Sequence, residues 1–495
     1  MDVSTKRIKM NNSYEELSFQ EFRKGTYLFL PIFILLLSYN SCKSQAVNQN
    51  KVQQTFQIID NYLSSLEAQN FNGAVFVASG NSVFKKGYGY ANKEAGIINT
   101  PTTIFDIGSV TKQFTGAAIL KLQMQGKLSV HDPVSKYIKQ VPEDKKQITI
   151  HQLLIHSSGL PHALGNDYDL LSKESFIDKA LASELKFTPG SRYEYSNVGY
   201  SLLAAIIERV SGNTYEEYLN QNLFQPAGMK QTGYVIPVWQ EFLVATGYSG
   251  DKVWGKPNEN PWDKTGPYWN LLGNGGILST AEDLYTWHLA LLGNDILNQD
   301  AKETYYTKHI SEGGNSYYGY GWALFPTPRN TTLISHNGGN GIFFCSFLRY
   351  LEEDITIILL CNSFKKDFHS IDFQIAKTMF NPDYRPGMEA PARTEPGKEG
   401  PHQELVKSFV KAVKSGEKAK IENLVNTLFT DRLKDMVPME QHIQMLLGLK
   451  SEMGTGEIKG IRINGNEVKI HFQNSPGPLT LMEQDGKIAG VMVGD

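Results

Sequence analysis

Three cysteines in 495 residues leave no basis for a disulfide framework, and no cysteine–histidine spacing suggests a metal site, so no metal or cofactor is expected. No apolar run reaches the roughly 20 residues that a membrane-spanning helix needs. Neither sign of charge dominates. Against 48 Lys and Arg stand 51 Asp and Glu, a formal net charge of −3, which gives no reason to expect nucleic acid or an anionic membrane surface as a partner. Internal repeats and low-complexity tracts are also missing. What the chain does have is length and 41% hydrophobic residues, ample for a large core and two domains.

The first 46 residues read as an export leader. Arg23 and Lys24 precede a short apolar run, Tyr27 to Leu37, and then Ser38, Asn40, Ser41 and Cys42. A charged flank, a short apolar stretch and small polar residues make a secretion signal. Two ends compete: a lipid-bearing Cys42, although Tyr39-Asn40 departs from the usual small residues, or cleavage after Ala46. Either outcome puts the protein in a bacterial periplasm or cell envelope, with the N-terminal segment or a lipid on Cys42 as the membrane anchor. Cys345 and Cys361 lie in strand-like runs and read as buried, small apolar side chains.

The stretch Phe105-Asp106-Ile107-Gly108-Ser109-Val110-Thr111-Lys112 opens a helix in which Val110, Phe114, Ala117, Ala118 and Leu122 recur at helical spacing. Lys112 falls one turn from Ser109 on the same face. A helix N-terminus favours negative charge, which suits an attacking oxygen. Ser-x-x-Lys also begins at Ser82, Ser183, Ser249, Ser363 and Ser415, so the spacing alone leaves an N-capping serine as the competing role.

In chain order, Phe56 to Leu66 reads as a helix with Ile58, Ile59, Tyr62 and Leu66 on one side. Gly73–Ala78 and Ser82–Phe84 then form a hairpin. From 126 to 235 the chain reads as mostly helical and loop-rich. A short helix starts at Asp132-Pro133 and another at Thr149, and His156 at a helix end reads as a structural hydrogen-bonder. Tyr193-Glu194-Tyr195-Ser196-Asn197 stands before the apolar helix Leu202–Val210, a rigid neighbour for a site. Asn274–Gly276 feeds a helix capped by Ser279 or Thr280. Tyr318–Trp322 reads as an edge strand, Ile334–Gly339 as a strand whose glycines permit close approach, and Ile371–Phe380 as a closing helix. Five prolines between 381 and 401 mark a linker. Beyond it, helices near 403–414, 418–435 and 439–449 precede strands turned at Asn464-Gly465 and Asp485-Gly486, an α+β arrangement.

Ser109-x-x-Lys112, Tyr195-Ser196-Asn197 and His336-Asn337-Gly338, in that order, resemble the three motifs of the serine β-lactamase and penicillin-binding-protein superfamily, known in one branch as S-x-x-K, S-D-N and K-T-G. The tyrosine of the second motif and the histidine of the third are similar to the class C branch and its esterase and D-aminopeptidase relatives. No G-x-S-x-G elbow points instead to an α/β-hydrolase.

The resemblance spans about residues 55–380 and implies an α/β (α+β) fold, an antiparallel sheet flanked by helices plus a mostly helical subdomain, over 51–381. A linker at 382–401 and a small α+β domain at 402–495 follow, the latter weakly similar to the cone-like nuclear-transport-factor fold. It further implies Ser109 as nucleophile and Lys112 or Tyr195 as its base. Asn197 would position Lys112 and donate to a substrate carbonyl, and the N–H groups of Ser109 and Gly339 would form an oxyanion hole beside Gly338. His336 replaces a lysine, so cationic help with a substrate carboxylate becomes pH-dependent or absent. The implied substrates are a small ester or amide, a D-amino-acid or peptidoglycan-derived peptide, or a β-lactam as a poor one. A sensor that acylates without turnover and a non-catalytic scaffold are the competing functions.

Overall fold

The computed structural model describes residues 49–387 and 401–493, apart from 260–261, 263–265, 366–369, 437, 454–456, 465–466 and 474–477. The leader with Cys42 and Ala46, and most of the proline-rich linker, lie outside the described residues. The chain divides into two compact units at Pro386–Gly387.

In the first unit, α1 (49–67) turns Phe56, Ile59 and Leu63 inward, with Tyr62 and Leu66 at the rim. β1 (Gly73–Ser79) and β2 (Ser82–Tyr88) form the expected hairpin. After β3 (Phe105–Asp106) a single 3-10 turn, Gly108–Val110, leads into α2 (Thr111–Met124). α3 (Ile150–Leu154) carries a capping box between Thr149 and Gln152, which satisfies two otherwise unpaired N–H groups. α4 (Asn197–Ser211) is capped by Ser196. β4 (Leu278–Ser279) pairs with β3, and Thr280 caps α5 (Ala281–Leu292). Then come β5 (Ile310–Gly313), β6 (Ser316–Tyr318), β7 (Ala323–Pro326), β8 (Thr332–Gly339), β9 (Phe344–Tyr350), β10 (Ile355–Cys361) and α6 (Ile371–Phe380).

Eight of these strands make one antiparallel sheet, ordered β2-β1-β10-β9-β8-β7-β6-β5. Its central strands read as unbroken apolar runs because both faces are covered. Along β10, Ile358 and Leu360 pack toward the helical side while Ile357, Leu359 and Cys361 pack toward α1 and α6. The same alternation puts Cys345 on the helical side, so the two thiols point away from each other and are free.

Two expectations are corrected here. The segment Tyr318–Trp322 is not an edge strand: β6 lies inside the sheet and β5 forms the edge, while 319–322 is the turn into β7. Gly321, at φ +85°, brings that turn so close to α2 that a Cβ would sit 2.5 Å from the Lys112 carbonyl oxygen. Nor is α2 apolar on one face only. Thr111 through Leu120 are all buried, because α2 is surrounded on every side by other helices and the sheet-side residues.

The second unit holds α7 (Pro401–Ser415), α8 (Lys418–Leu428), α9 (Asp431–Met436) and α10 (Met439–Glu452). A meander of β11 (Ile458–Asn464), β12 (Glu467–Phe472), β13 (Leu479–Gln484) and β14 (Lys487–Val493) follows. The single helix expected over 418–435 is broken at Phe429, which is buried and bridges to Ile488. Asp485 and Gly486 both have positive φ, the two-residue turn that matches strand twist. Phe409, Val413, Ile421, Val425, Ile470 and Leu481 build its own core.

Candidate active site

The 3-10 turn before α2 puts Ser109 one residue too early to cap the helix. The caps at Ile107 and Val110 carry no side-chain hydrogen bond, so the capping role is excluded. Lys112, one turn on, is fully buried, and its Nζ lies 3.1 Å from Ser109 Oγ. The same nitrogen donates to Asn197 Oδ1 at 2.8 Å and to the Asn274 carbonyl at 2.7 Å. Burial pushes the Lys112 amine well below its ordinary value, opposed only by the more distant Asp167 carboxylate. Keeping a buried ammonium without a hydrogen-bonded carboxylate costs several kcal/mol, so burial favours the neutral amine. A neutral amine has two hydrogens and a lone pair. Asn197 Oδ1 and the Asn274 carbonyl can only accept, so in that form the lone pair faces the Ser109 hydroxyl.

Tyr195 arrives from the segment that precedes α4. Burial raises its pKa, opposed by the neighbouring Ser109 hydroxyl, and its ring lies 4.7 Å from Lys112 Nζ. Its seat is fixed from two sides. Ser196 caps α4 through Gly199 N–H at 3.2 Å and donates to the Pro161 carbonyl at 2.7 Å. His156, buried and at φ +58°, accepts from Ser196 N–H at 3.1 Å and packs its ring 4.2 Å from that of Tyr195. His156 is therefore the structural hydrogen-bonder expected of it. With Asn197 Oδ1 held by Lys112, the Asn197 amide NH2 remains as a donor.

The third segment is β8. Its pairing with β7 ends at Ala323–Ser335, so His336 to Gly339 pair only with β9 among the described strands, leaving an open edge toward Ser109. Gly338 and Gly108 allow the contact. A Cβ on Gly338 would stand 2.2 Å from the Ile107 carbonyl and 2.4 Å from Ser109 N, and one on Gly108 2.4 Å from Gly339 N. Both obstacles are backbone. Gly338→Ala should therefore push the two segments apart, lowering kcat by about 100-fold or more and stability by about 1–3 kcal/mol. Steady-state kinetics and thermal melts check both.

His336 is brought to the cleft but is not free. Its Nδ1 lies 2.6 Å from the Asn337 carbonyl and so carries the proton, and Nε2 accepts from the Tyr318 hydroxyl at 3.0 Å. Burial, with Lys112 nearby, lowers its pKa to about 3. It is neutral across physiological pH, which decides between the two expectations for it: the cation is absent. A cavity of about 300 Å³ adjoins these groups, lined by Tyr195, Tyr318, His336, Asn337, Ser335 and Glu312.

The three distant segments thus converge on one hydroxyl, one amine and one phenol. Sequence reasoning missed two participants. The Asn274 carbonyl is a backbone group and leaves no residue-type signature. Tyr318 stood in a stretch read as a strand, not as the partner of His336. None of the other Ser-x-x-Lys serines is hydrogen-bonded to its lysine among the described residues.

The beta-lactamase family model matches residues 59–379, about two thirds of the chain. The chain belongs to the beta-lactamase family. It is a serine hydrolase of the β-lactamase and penicillin-binding-protein type. Among relatives, the Bacillus subtilis (strain 168) protein PbpX is 35% identical over 282 residues, 56% of this chain and 68% of that one. A penicillin-binding protein from Bacillus halodurans superimposes with a TM-score of 0.56 at 27% identity, covering 64% of this chain and 98% of the other. An octameric penicillin-binding protein homologue from Pyrococcus abyssi gives 0.57 at 24% identity, covering 87% and 94%, which speaks to the fold alone.

Proposed function

We propose that this family member is an exported hydrolase of a small ester, amide or D-amino-acid peptide, working through an acyl-enzyme on Ser109. The observation that carries the reading is the buried Lys112 amine 3.1 Å from the Ser109 hydroxyl, with only the acceptors Asn197 Oδ1 and the Asn274 carbonyl beside it. Lys112 takes the serine proton as Ser109 attacks the carbonyl carbon. The N–H groups of Ser109 and Gly339 receive the developing oxyanion. Tyr195, protonated at rest, gives its proton to the leaving oxygen or nitrogen and is reprotonated by Lys112, which holds the former serine proton. Water then releases the acyl group by the reverse sequence. Export rests on the leader, Arg23 to Cys42.

A neutral His336 favours substrates without a carboxylate beside the scissile bond, which makes β-lactams the poorer class. Incubation with a fluorophosphonate, a p-nitrophenyl ester and a chromogenic cephalosporin tests this. The expected result is labelling at Ser109, ester turnover, and kcat/KM for the cephalosporin lower by about 100-fold or more. Labelling without ester turnover would replace the hydrolase by an acylating sensor, and a cephalosporin turned over faster than the ester would reverse the substrate order.

A further inference from the structure

An oxyanion hole built from N–H groups on two separate segments works only if their spacing is held. Between these segments runs one side-chain bridge. Asp106, 3% exposed, accepts from Gly108 N–H through Oδ1 at 2.7 Å and from Asn340 Nδ2 through Oδ2 at 3.0 Å. Asn340 in turn accepts at Oδ1 from the N–H groups of Ile342 and Phe343, at 3.0 and 2.8 Å. Gly108 immediately precedes Ser109, and Asn340 immediately follows Gly339. One carboxylate therefore ties the residue before one hole donor to the residue after the other.

We propose that Asp106 and Asn340 are positioning residues that set the separation of the Ser109 and Gly339 N–H groups, and through it the stabilisation of the tetrahedral oxyanion. This rests on Ser109 as the nucleophile. The glycine contacts bring the two backbones together but do not stop one from sliding along the other. The bridge opposes that motion, because Asp106 Oδ1 and Oδ2 are committed to different segments. Misplacement of a hole donor weakens the transition state more than the ground state.

The donor pattern offers a specific test. Asp106→Asn sets an amide N–H against the Asn340 amide, and Asn340→Asp sets two carboxyl groups together. The double variant, Asp106→Asn with Asn340→Asp, restores every bond. The amide introduced at position 106 would donate to the new carboxylate at position 340, which still accepts from Ile342 and Phe343. Ester kinetics per titrated active site should show kcat down about 10- to 100-fold in each single variant, with KM within about threefold. The double variant should recover to within about fivefold of wild type. Affinity for an arylboronic acid, which forms a tetrahedral anion on serine, should weaken in step with kcat. A merely structural pair would lower the melting temperature and leave kcat per site unchanged.

Should the charged variants not fold, Asn340→Ala at a half-buried position removes the bridge without adding charge, and the same selective fall in kcat is expected. Single variants or Asn340→Ala that keep kcat within about twofold, or a folded double variant no better than its worse parent, would overturn the proposal. Fluorophosphonate labelling of the wild type separates the two claims. Its failure removes the nucleophile and the proposal together, whereas labelling with an unmoved kcat removes the bridge alone.

Discussion

Ser109→Ala is expected to lower ester turnover by about 10⁴-fold or more while the protein remains folded. The hydroxyl lies 3.1 Å from the Lys112 amine and neighbours the Tyr195 phenol. Without it no acyl-enzyme can form, and what remains is binding and the oxyanion donors acting on water. The cost to stability is small. Lys112 keeps Asn197 and Asn274, and Tyr195 keeps its packing against His156. Loss of the serine contacts should cost about 1 kcal/mol, a few degrees in melting temperature for a unit of this size. Kinetics with a p-nitrophenyl ester, mass spectrometry of the fluorophosphonate adduct and circular dichroism supply the measurements. Undiminished turnover in the variant would assign the chemistry to another nucleophile.

The sequence carried the three motifs and the order of the elements, because both rest on residue type and period. The apolar run Gly73–Ala78 and the glycine-bearing strand Ile334–Gly339 are local signals, and both strands form. What it could not carry is what depends on neighbours far along the chain. Ser109-x-x-Lys112 has the same spacing as Ser82-x-x-Lys85, yet only the first lysine is enclosed by Asn197 and Asn274, 85 and 162 residues away. Its lowered pKa follows from that burial and from no property of the spacing. Likewise His336 could have been a cation. Burial makes it neutral, with Nδ1 donating to the Asn337 carbonyl and Nε2 accepting from Tyr318. The Tyr318–Trp322 stretch looked like an edge strand because aromatics suit strands, but Gly321 turns the chain to pass α2. The base question, open between Lys112 and Tyr195 on residue type, is narrowed by burial. The same desolvation discharges an amine by removing its proton and a phenol by keeping it.

That opposition yields the second large effect. Lys112→Met should lower the acylation rate by about 10³- to 10⁴-fold, and Tyr195→Phe by about 10²- to 10³-fold. The two should also differ in their dependence on pH. In the wild type the active form has Lys112 unprotonated, its pKa depressed by burial, so activity falls as acidification returns the proton to the amine. Tyr195→Phe leaves that amine in place and should keep the acid limb at reduced height, shifted at most slightly by the lost hydroxyl. In Lys112→Met the group that titrates is gone, and the residual activity should lose the limb. Stability carries the same sign. The unfolded chain protonates this lysine near its ordinary value, about 10.4, whereas the folded chain does so only at lower pH. The lysine therefore makes the wild type lose stability as pH falls through the interval between them. Lys112→Met should flatten that slope, even though it leaves the Asn197 and Asn274 oxygens short of a donor. Stopped-flow acylation with a p-nitrophenyl ester across pH, paired with denaturant titrations at the same pH values, measures both. An acid limb that survives in Lys112→Met and disappears in Tyr195→Phe would make the phenol the base and the amine its positioning partner.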